Sequence, residues 1–235
     1  MTYKNSVIVS PDIYNDTKDN LKSIGIDIIY SMQNKNVSDK LKFHADMQIA
    51  KLSDIDYVCA PECFDYYKEV LSMYNVNLTS GNTYLSCNYP YDIAYNIIIT
   101  KSYAFHNFKY TDDVIKQKLA TKKLINVSQG YTACILCNLG NDAFITSDMG
   151  IYKTLIKNNF DVLCIDDSDI LLPGFNHGFF GGSSLMVSPD ILAVNGNAKY
   201  HRNYDDIRAF CQNYNISLFS LSNNPIMDIG SFILV

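Results

Sequence analysis

Two residues near the start of the sequence, His44 and Asp46, have the types and the spacing for acid–base and cation-binding chemistry. If their segment is extended, residues two apart project to the same face, so the imidazole and the carboxylate point together. An imidazole exchanges a proton near neutral pH, and a carboxylate accepts two charge-assisted hydrogen bonds from a planar cation. The alternative is a loop histidine beside a solvated aspartate, and the pair alone does not decide between the two.

Cys134, in the segment QGYTACI (129–135), is the candidate nucleophile. A cysteine beside a protonated histidine and near a cationic substrate has a lowered pKa and attacks as the thiolate. The alternative is a small core residue, because buried cysteine is common and Cys137 follows three positions later. Residues three apart in a strand face opposite sides, which disfavours a metal-binding pair.

The segments that carry these residues belong to a repeat. Four units of about 40–50 residues each read as strand, strand, helix, strand, and such self-similarity indicates a repeat architecture. The units open at HADMQIAKL (44–52), YDIAYNIIIT (91–100), TACILCNL (132–139) and GGSSLMV (181–187). In the second unit Thr111 is the predicted N-cap of the helix. His44, Asp46 and Cys134 therefore lie at unit openings.

The two ends of the sequence complete a fifth unit. The last residues, IGSFILV (229–235), align without a gap on GGSSLMV (181–187), and the first residues supply VIVS (7–10), a helical segment (12–25) and IDIIYS (26–31). A repeat that is split between the termini closes a ring, since the last strand pairs with the first and no sheet edge stays exposed. An open α/β sheet is the alternative, but it leaves the C-terminal strand unexplained.

Five such units in a closed ring resemble the α/β propeller of the pentein superfamily, which includes arginine and agmatine deiminases, dimethylarginine dimethylaminohydrolases and amidinotransferases. His44-Ala45-Asp46 resembles the His-x-Asp/Glu motif of these guanidine-modifying enzymes. The resemblance implies that His44 is the general acid/base, that Asp46 holds a guanidinium group and that Cys134 is the nucleophile. His44 and Cys134 are two units apart, which is also the family's separation.

The order of the units differs from that of the deiminases, whose nucleophile lies near the C-terminus, so the resemblance implies a circularly permuted chain. Ser183 and Ser231 stand where the family's Gly-Gly-Asp opening has a substrate-binding aspartate. Asp92, His177 and Asp228 lie in turns or loops beside the openings and are further candidates for substrate binding. For each of them a turn or capping role is the alternative.

Composition limits the partners of the protein. The 235 residues include 19 Lys and Arg and 24 Asp and Glu, for a net charge of −5 without a basic stripe, so a nucleic-acid partner is not expected. No leader-like segment or long apolar run occurs, which predicts a soluble cytoplasmic protein without a membrane partner. The 30 Tyr and Phe residues leave room for an interface in a homo-oligomer.

The seven cysteines lack a framework spacing, which predicts reduced thiols, and those other than Cys134 are interpreted as structural. His106 and His201 lie away from unit openings and are interpreted as surface residues. No metal or cofactor signature occurs, so neither a metal nor a cofactor is expected. Five units of about 47 residues account for the length as one pentein-like domain over residues 1–235.

Three functions remain open. The first is a cysteine-dependent hydrolase or transferase acting on an amidine or guanidinium small molecule. The second is a non-catalytic protein of the same fold that binds a partner. The third is a hydrolase on an unrelated α/β fold that uses Cys134 and His177.

Overall fold

The computed structural model describes residues 5–235, which form five sheets of three strands each. In every sheet the middle strand pairs antiparallel with one neighbour and parallel with the other. A helix connects the two parallel strands, because parallel neighbours need a crossover connection. The predicted unit of strand, strand, helix, strand is confirmed, and the five units are the blades of an α/β propeller.

The strands are β1 (Asn5–Val9), β2 (Ile26–Tyr30), β3 (Ile49–Lys51), β4 (Asp56–Cys59), β5 (Asn77–Ser80), β6 (Ile98–Ile99), β7 (Tyr103–His106), β8 (Lys123–Asn126), β9 (Leu136–Gly140), β10 (Ala143–Thr146), β11 (Asp161–Cys164), β12 (Ser184–Ser188), β13 (Ile191–Val194), β14 (Ser217–Ser220) and β15 (Ile233–Leu234). The helices are α1 (Asn15–Ser23), α2 (Ala45–Gln48), α3 (Phe64–Val70), α4 (Asp113–Lys118), α5 (Thr132–Ile135), α6 (Met149–Lys157) and α7 (Tyr204–Asn213), with 3-10 turns at Pro61–Cys63, Gly181–Ser183 and Ala198–Tyr200. We number the blades 1 (β3–β5), 2 (β6–β8), 3 (β9–β11), 4 (β12–β14) and 5 (β15, β1, β2).

Apolar clusters between neighbouring blades hold the ring together. One cluster joins blades 5, 1 and 2, and separate clusters join blades 2 and 3, blades 3 and 4, and blades 4 and 5. Buried members of the four clusters are, respectively, Ile8 with Val58 and Ile115, Phe105 with Phe144, Ile145 with Leu192, and Val7 with Leu185. Every blade therefore packs on both of its neighbours, and the ring is closed.

Both ends of the chain build blade 5. Strand β15 pairs antiparallel with β1, with Val7 opposite Leu234 and Ile8 opposite Ile233. The Tyr57 hydroxyl of blade 1 donates to the Leu234 carbonyl over 2.7 Å, which ties the closing strand to the next blade. The predicted closure by both ends is confirmed, and the alternative of an open α/β sheet is wrong.

The crossover helices each bury a narrow stripe of residues against their sheets. In α6 these are Ile151 and Leu155, and in α7 they are Ile207 and Cys211, both pairs at the i, i+4 spacing of one helix face. The predicted N-cap at Thr111 is wrong by one residue. Asp112 caps α4, since its carboxylate accepts from the Val114 N–H over 2.8 Å.

The blade openings are not extended, which corrects the expectation for the candidate site segments. Residues 45–48 and 132–135 form the single helical turns α2 and α5, and a 3-10 turn occupies Gly181–Ser183 before β12 begins. His44 is the N-cap residue of α2 and Asp46 lies inside it, so the two side chains converge on a helical turn rather than on a strand face.

Three further expectations are wrong. His106 and His201, interpreted as surface residues, are both buried. His106 Nε2 donates to the Gly130 carbonyl over 3.2 Å and Nδ1 lies 2.6 Å from the Thr111 hydroxyl; burial lowers the pKa of His106 to about 4. Cys87 is exposed rather than packed, whereas Cys59, Cys63, Cys137 and Cys211 are buried.

Over residues 5–235 none of the helices has the length and apolar character needed to cross a membrane.

Candidate active site

The blade openings meet around a cavity of about 270 Å³. Its lining includes four of the residues singled out in the sequence for chemistry: His44, Cys134, Asp228 and, at the exposed side, His177. The remaining lining is mostly apolar or aromatic. The fold therefore brings residues that are far apart in the sequence to one concave site, which is the usual form of a small-molecule site.

Cys134 lies on α5 and is buried, and its thiol contacts two polar side chains. Sγ donates to Asp46 Oδ2 over 3.0 Å and accepts from Asn96 Nδ2 over 3.3 Å. Asn96 is oriented by its own Oδ1, which accepts from the Ala133 N–H over 2.7 Å. Burial, and then the negative charge of Asp46, raises the pKa of the Cys134 thiol well above its ordinary value. This shift favours the neutral thiol form of Cys134.

Asp46 holds this arrangement together from blade 1. Its Oδ2 accepts from the thiol and also from the Ser231 hydroxyl over 2.6 Å, and Ser231 belongs to blade 5. Its Oδ1 is buried and has no hydrogen-bond partner among the described residues. A buried carboxylate oxygen without a donor is unfavourable on its own, so this atom is suited to receive an N–H group from a ligand.

His44 completes the group. One atom from each of His44, Asp46 and Cys134 can be chosen so that all three lie within 4.8 Å of one another. Burial lowers the pKa of the His44 imidazole, while the charges of Asp46 and Asp12 partly oppose this shift. A neutral imidazole next to a neutral thiol is able to take up the thiol proton when a cationic ligand stabilises the thiolate.

A second carboxyl group, Asp228, lies at the floor of the cavity. Its Oδ1 accepts from the Gly230 N–H over 2.9 Å and its Oδ2 from the Phe179 N–H over 3.0 Å. Burial and the charge of Asp46 raise the pKa of Asp228 to about 8, against the two backbone donors, which lower it. A cationic ligand bound beside Asp228 would favour its ionised form.

Three glycines make room for these side chains. A Cβ on Gly182 would lie 2.0 Å from Asp228 Oδ1, and one on Gly181 would lie 2.6 Å from the Cys134 carbonyl oxygen. Gly230 has φ +72°, and a Cβ there would lie 2.2 Å from that of His44. The glycine pairs noticed in the sequence thus serve close approach between blades.

The other predicted substrate-binding residues have different surroundings. Asp92 is buried behind the cavity wall, where its Oδ2 accepts from the Tyr131 hydroxyl over 2.7 Å, and burial raises its pKa. The Tyr131 ring lines the cavity. Ser183 is buried, and its hydroxyl donates to the Phe180 carbonyl of its own turn over 2.9 Å, away from the described cavity lining. His177 is exposed at the cavity mouth, with Nδ1 3.1 Å from the Gly178 carbonyl.

Sequence reasoning missed two residues of the site, Asn96 and Tyr131. Asn96 touches the thiol and Tyr131 connects Asp92 to the cavity wall. Asn96 lies in the opening YDIAYNIIIT (91–100), and Tyr131 directly precedes the opening TACILCNL (132–139). A rule that takes every polar residue in or next to an opening as a candidate includes both.

The same group contains residue types that bind metal ions. His44, Asp46 and Cys134 together could supply three ligands. The distance of 3.0 Å between Cys134 Sγ and Asp46 Oδ2 is that of a hydrogen bond, whereas a thiolate and a carboxylate on one tetrahedral zinc ion lie about 3.5 Å apart. The distance is therefore that of the Cys134 thiol hydrogen-bonded to the Asp46 carboxylate.

Comparisons with known proteins agree with this fold. The model of a family described as a family of unknown function (DUF6873) matches residues 8–233. No curated protein matches the sequence. The structure resembles SxtG, an amidinotransferase from Microseira wollei in the saxitoxin biosynthetic pathway, with a TM-score of 0.57 and 9% identity over 92% of this chain and 88% of that chain.

Two further solved structures show the same likeness. A mutant DDAH from Pseudomonas aeruginosa complexed with citrulline has a TM-score of 0.57 and 8% identity over 92% of this chain and 91% of that chain. An agmatine deiminase of C. jejuni has a TM-score of 0.53 and 11% identity over 95% of this chain and 82% of that chain. The protein has the pentein fold, as its sequence predicted.

Proposed function

The chain belongs to the family of unknown function DUF6873, and we propose that it is a cysteine-dependent enzyme acting on the amidine or guanidinium carbon of a small molecule. The observation that carries the proposal is the convergence of the Cys134 thiol, the His44 imidazole and the Asp46 carboxylate, whose ligand atoms lie within 4.8 Å of one another, with Cys134 and His44 lining the cavity. The solved structures of similar fold include an amidinotransferase and an agmatine deiminase, which supports the same kind of chemistry.

The carboxyl groups supply the recognition. Asp46 Oδ1, close to the Cys134 thiol, has no donor among the described residues, and Asp228 lines the cavity. An amidinium group is planar and carries N–H donors on both sides, so it can bridge two carboxylates with charge-assisted hydrogen bonds. Its positive charge opposes the effects of burial and of the neighbouring Asp46 charge that raise the pKa of Asp228, and so favours the ionised form of Asp228.

The thiol, the imidazole and water supply the reaction. The bound cation stabilises the Cys134 thiolate, and the thiol proton passes to His44. Sγ forms a bond to the amidine carbon, the C–N bond to the leaving amine breaks, and His44 returns the proton to that nitrogen. Water then adds to the same carbon and gives a proton to His44, and the C–S bond breaks to restore the thiolate. An amine in place of water makes the reaction a transfer.

Two isosteric reagents test this proposal. Chloroacetamidine is a cation and chloroacetamide is neutral, so the ratio of their alkylation rates measures recognition of the amidinium group. The reaction is followed at Cys134 by peptide mass spectrometry in a Cys87→Ser background, because Cys87 is exposed. After correction for the rates with glutathione, we expect the amidine to label Cys134 at least about tenfold faster, which corresponds to about 1.4 kcal/mol.

Two variants provide the control. Asp46→Asn is expected to abolish the preference, whereas Asp92→Asn, which changes a buried carboxylate behind the cavity wall, is expected to retain it. Equal labelling by both reagents, or no labelling of Cys134, would contradict the enzyme proposal. A protein that binds amidines tightly but never releases ammonia or an amine would instead be the non-catalytic binding protein of the same fold.

A further inference from the structure

We propose, building on the function proposed above, that the substrate carries its amidine group on an uncharged apolar tail and has no carboxylate. The wall of the cavity beyond Cys134 is formed by apolar side chains, Leu41, Met47, Leu172, Phe175 and Phe179. A cavity of about 270 Å³ has the volume of about nine liquid water molecules, so the substrate is small.

A carboxylate on the substrate would have no basic partner in the lining of the 270 Å³ cavity, because none of its described lining residues is a lysine or an arginine. The sequence contains two arginines, and both form ion pairs elsewhere. Arg202 contacts Asp169 over 2.8 Å, and Arg208 contacts Asp205 over 3.2 Å. The bidentate clamp that arginine offers to carboxylates is therefore engaged outside this site.

Lys40 contacts Phe175, which lines the cavity, and its ammonium group already has partners. It donates to the Gly174 carbonyl and lies 4.9 Å from the centroid of the Phe175 ring. Both contacts engage the charge at residues 174 and 175. The aliphatic stem of Lys40 meanwhile packs near Gly174, where a Cβ would lie 2.6 Å from its Cδ.

An ammonium group on the substrate tail would also have no carboxylate partner along the cavity wall formed by the described residues. Among the described lining residues the acidic one is Asp228, which is buried at the floor. At the wall the Tyr131 hydroxyl donates to Asp92, and at the mouth His177 Nδ1 faces the Gly178 carbonyl. A charged group buried without a partner loses hydration that nothing replaces, so either kind of charged tail binds less well than an apolar one.

Binding of three amidines with the same four-carbon spacer measures this preference. Isothermal titration of the full chain, in a Cys87→Ser, Cys134→Ser background that cannot attack the amidine carbon, uses pentanamidine, 5-aminopentanamidine and 5-amidinopentanoate. We expect pentanamidine to bind at least about tenfold more tightly than either charged analogue. Equal or tighter binding of a charged analogue overturns the inference, as does the absence of binding by all three.

Two aromatic variants locate the tail. Phe175 lines the cavity and is 46% exposed, so Phe175→Ala should fold and should weaken pentanamidine binding about fivefold or more. Phe219, 38% exposed on β14 and outside the described lining, is the matched control, and Phe219→Ala should leave binding unchanged. Equal effects of both variants would contradict the assignment of the tail to this wall.

The labelling experiment separates this inference from the proposed function. Selective alkylation of Cys134 by chloroacetamidine without a tail preference would support the enzyme and overturn the inference. A tail preference with an unreactive Cys134 would support the inference and contradict the enzyme.

Discussion

Gly230 is the position at which a single added methyl group tests the assembly of the site. It lies in the opening of blade 5 with φ +72°, and a Cβ there would lie 2.2 Å from His44 Cβ and 2.3 Å from His44 Cγ. Gly25 offers a matched control, because its φ is +82° and a Cβ there would meet nothing within 4 Å. Alanine at both positions has the same backbone strain, and only one has the collision.

The expected losses of stability follow from the backbone strain and from the collision with His44. A residue other than glycine in the left-handed region costs about 1–2 kcal/mol, which applies to both variants. Insertion of a methyl group into a packed site adds about 1–3 kcal/mol, which applies to Gly230→Ala alone. At about 2–4 °C per kcal/mol for a chain of this size, Gly230→Ala should melt about 2–12 °C below Gly25→Ala.

Urea and thermal unfolding of both variants measure this difference. The amidine labelling of Cys134 gives a second readout, since Gly230→Ala displaces His44 whereas Gly25→Ala leaves the site intact. If Gly230→Ala does not accumulate as folded protein while Gly25→Ala does, the steric reasoning is supported. Equal melting temperatures of the two variants would refute the close approach of blade 5 to His44.

Four further outcomes are expected. Ser231→Ala removes a hydroxyl donor from the buried Asp46 carboxylate and should lower the free energy of unfolding by about 2 kcal/mol in urea; unchanged stability would contradict that bond. The pKa of Asp228 is raised to about 8, so its contribution to stability is fully present below about pH 4 and is lost as the pH rises to about 8. Asp228→Asn should flatten the unfolding free energy over that range. The pKa of His106 is lowered to about 4, so its contribution is present above about pH 6.5 and is lost as the pH falls; an unchanged acid limb in His106→Gln would refute this. Cys87 should be the first thiol of the native protein to react with Ellman's reagent, and Cys87→Ser should remove that phase.

The sequence predicted the architecture because the architecture rests on apolar periodicity. Each blade repeats short apolar strands and a helix with one buried stripe, and these patterns are visible in any single unit. The match between residues 229–235 and 181–187 predicted that the last strand belongs to an incomplete blade, and the pairing of Ile8 with Ile233 confirms it.

The local conformation of the openings could not be predicted in the same way. A helical turn of four residues, such as α2 or α5, is too short to produce a periodic pattern, so an extended opening was the natural expectation. The placement of His44, Asp46 and Cys134 at openings was nonetheless sufficient to bring them together, because the ring geometry directs all openings to the axis.

Hydrogen bonds between polar residues of different blades also could not be predicted from the sequence. Asp46 accepts from Ser231, 185 positions away, and nothing in either segment indicates this pairing. His106 was interpreted as a surface residue because it lies away from the unit openings, yet the Gly130 carbonyl and the Thr111 hydroxyl satisfy its ring inside the protein. Burial of a polar group depends on partners that only the assembled ring supplies.

The polar group around the thiol has a consequence for cooperativity. Asp46, Asn96, Cys134 and Ser231 come from blades 1, 2, 3 and 5, and their hydrogen bonds join blades that are not all neighbours in the ring. Separation of any one of these blades would dismantle the group before the remaining sheets unfold. A ligand bound there would therefore resist the opening of several blade interfaces at once, and its binding energy would add to the stability of the whole ring.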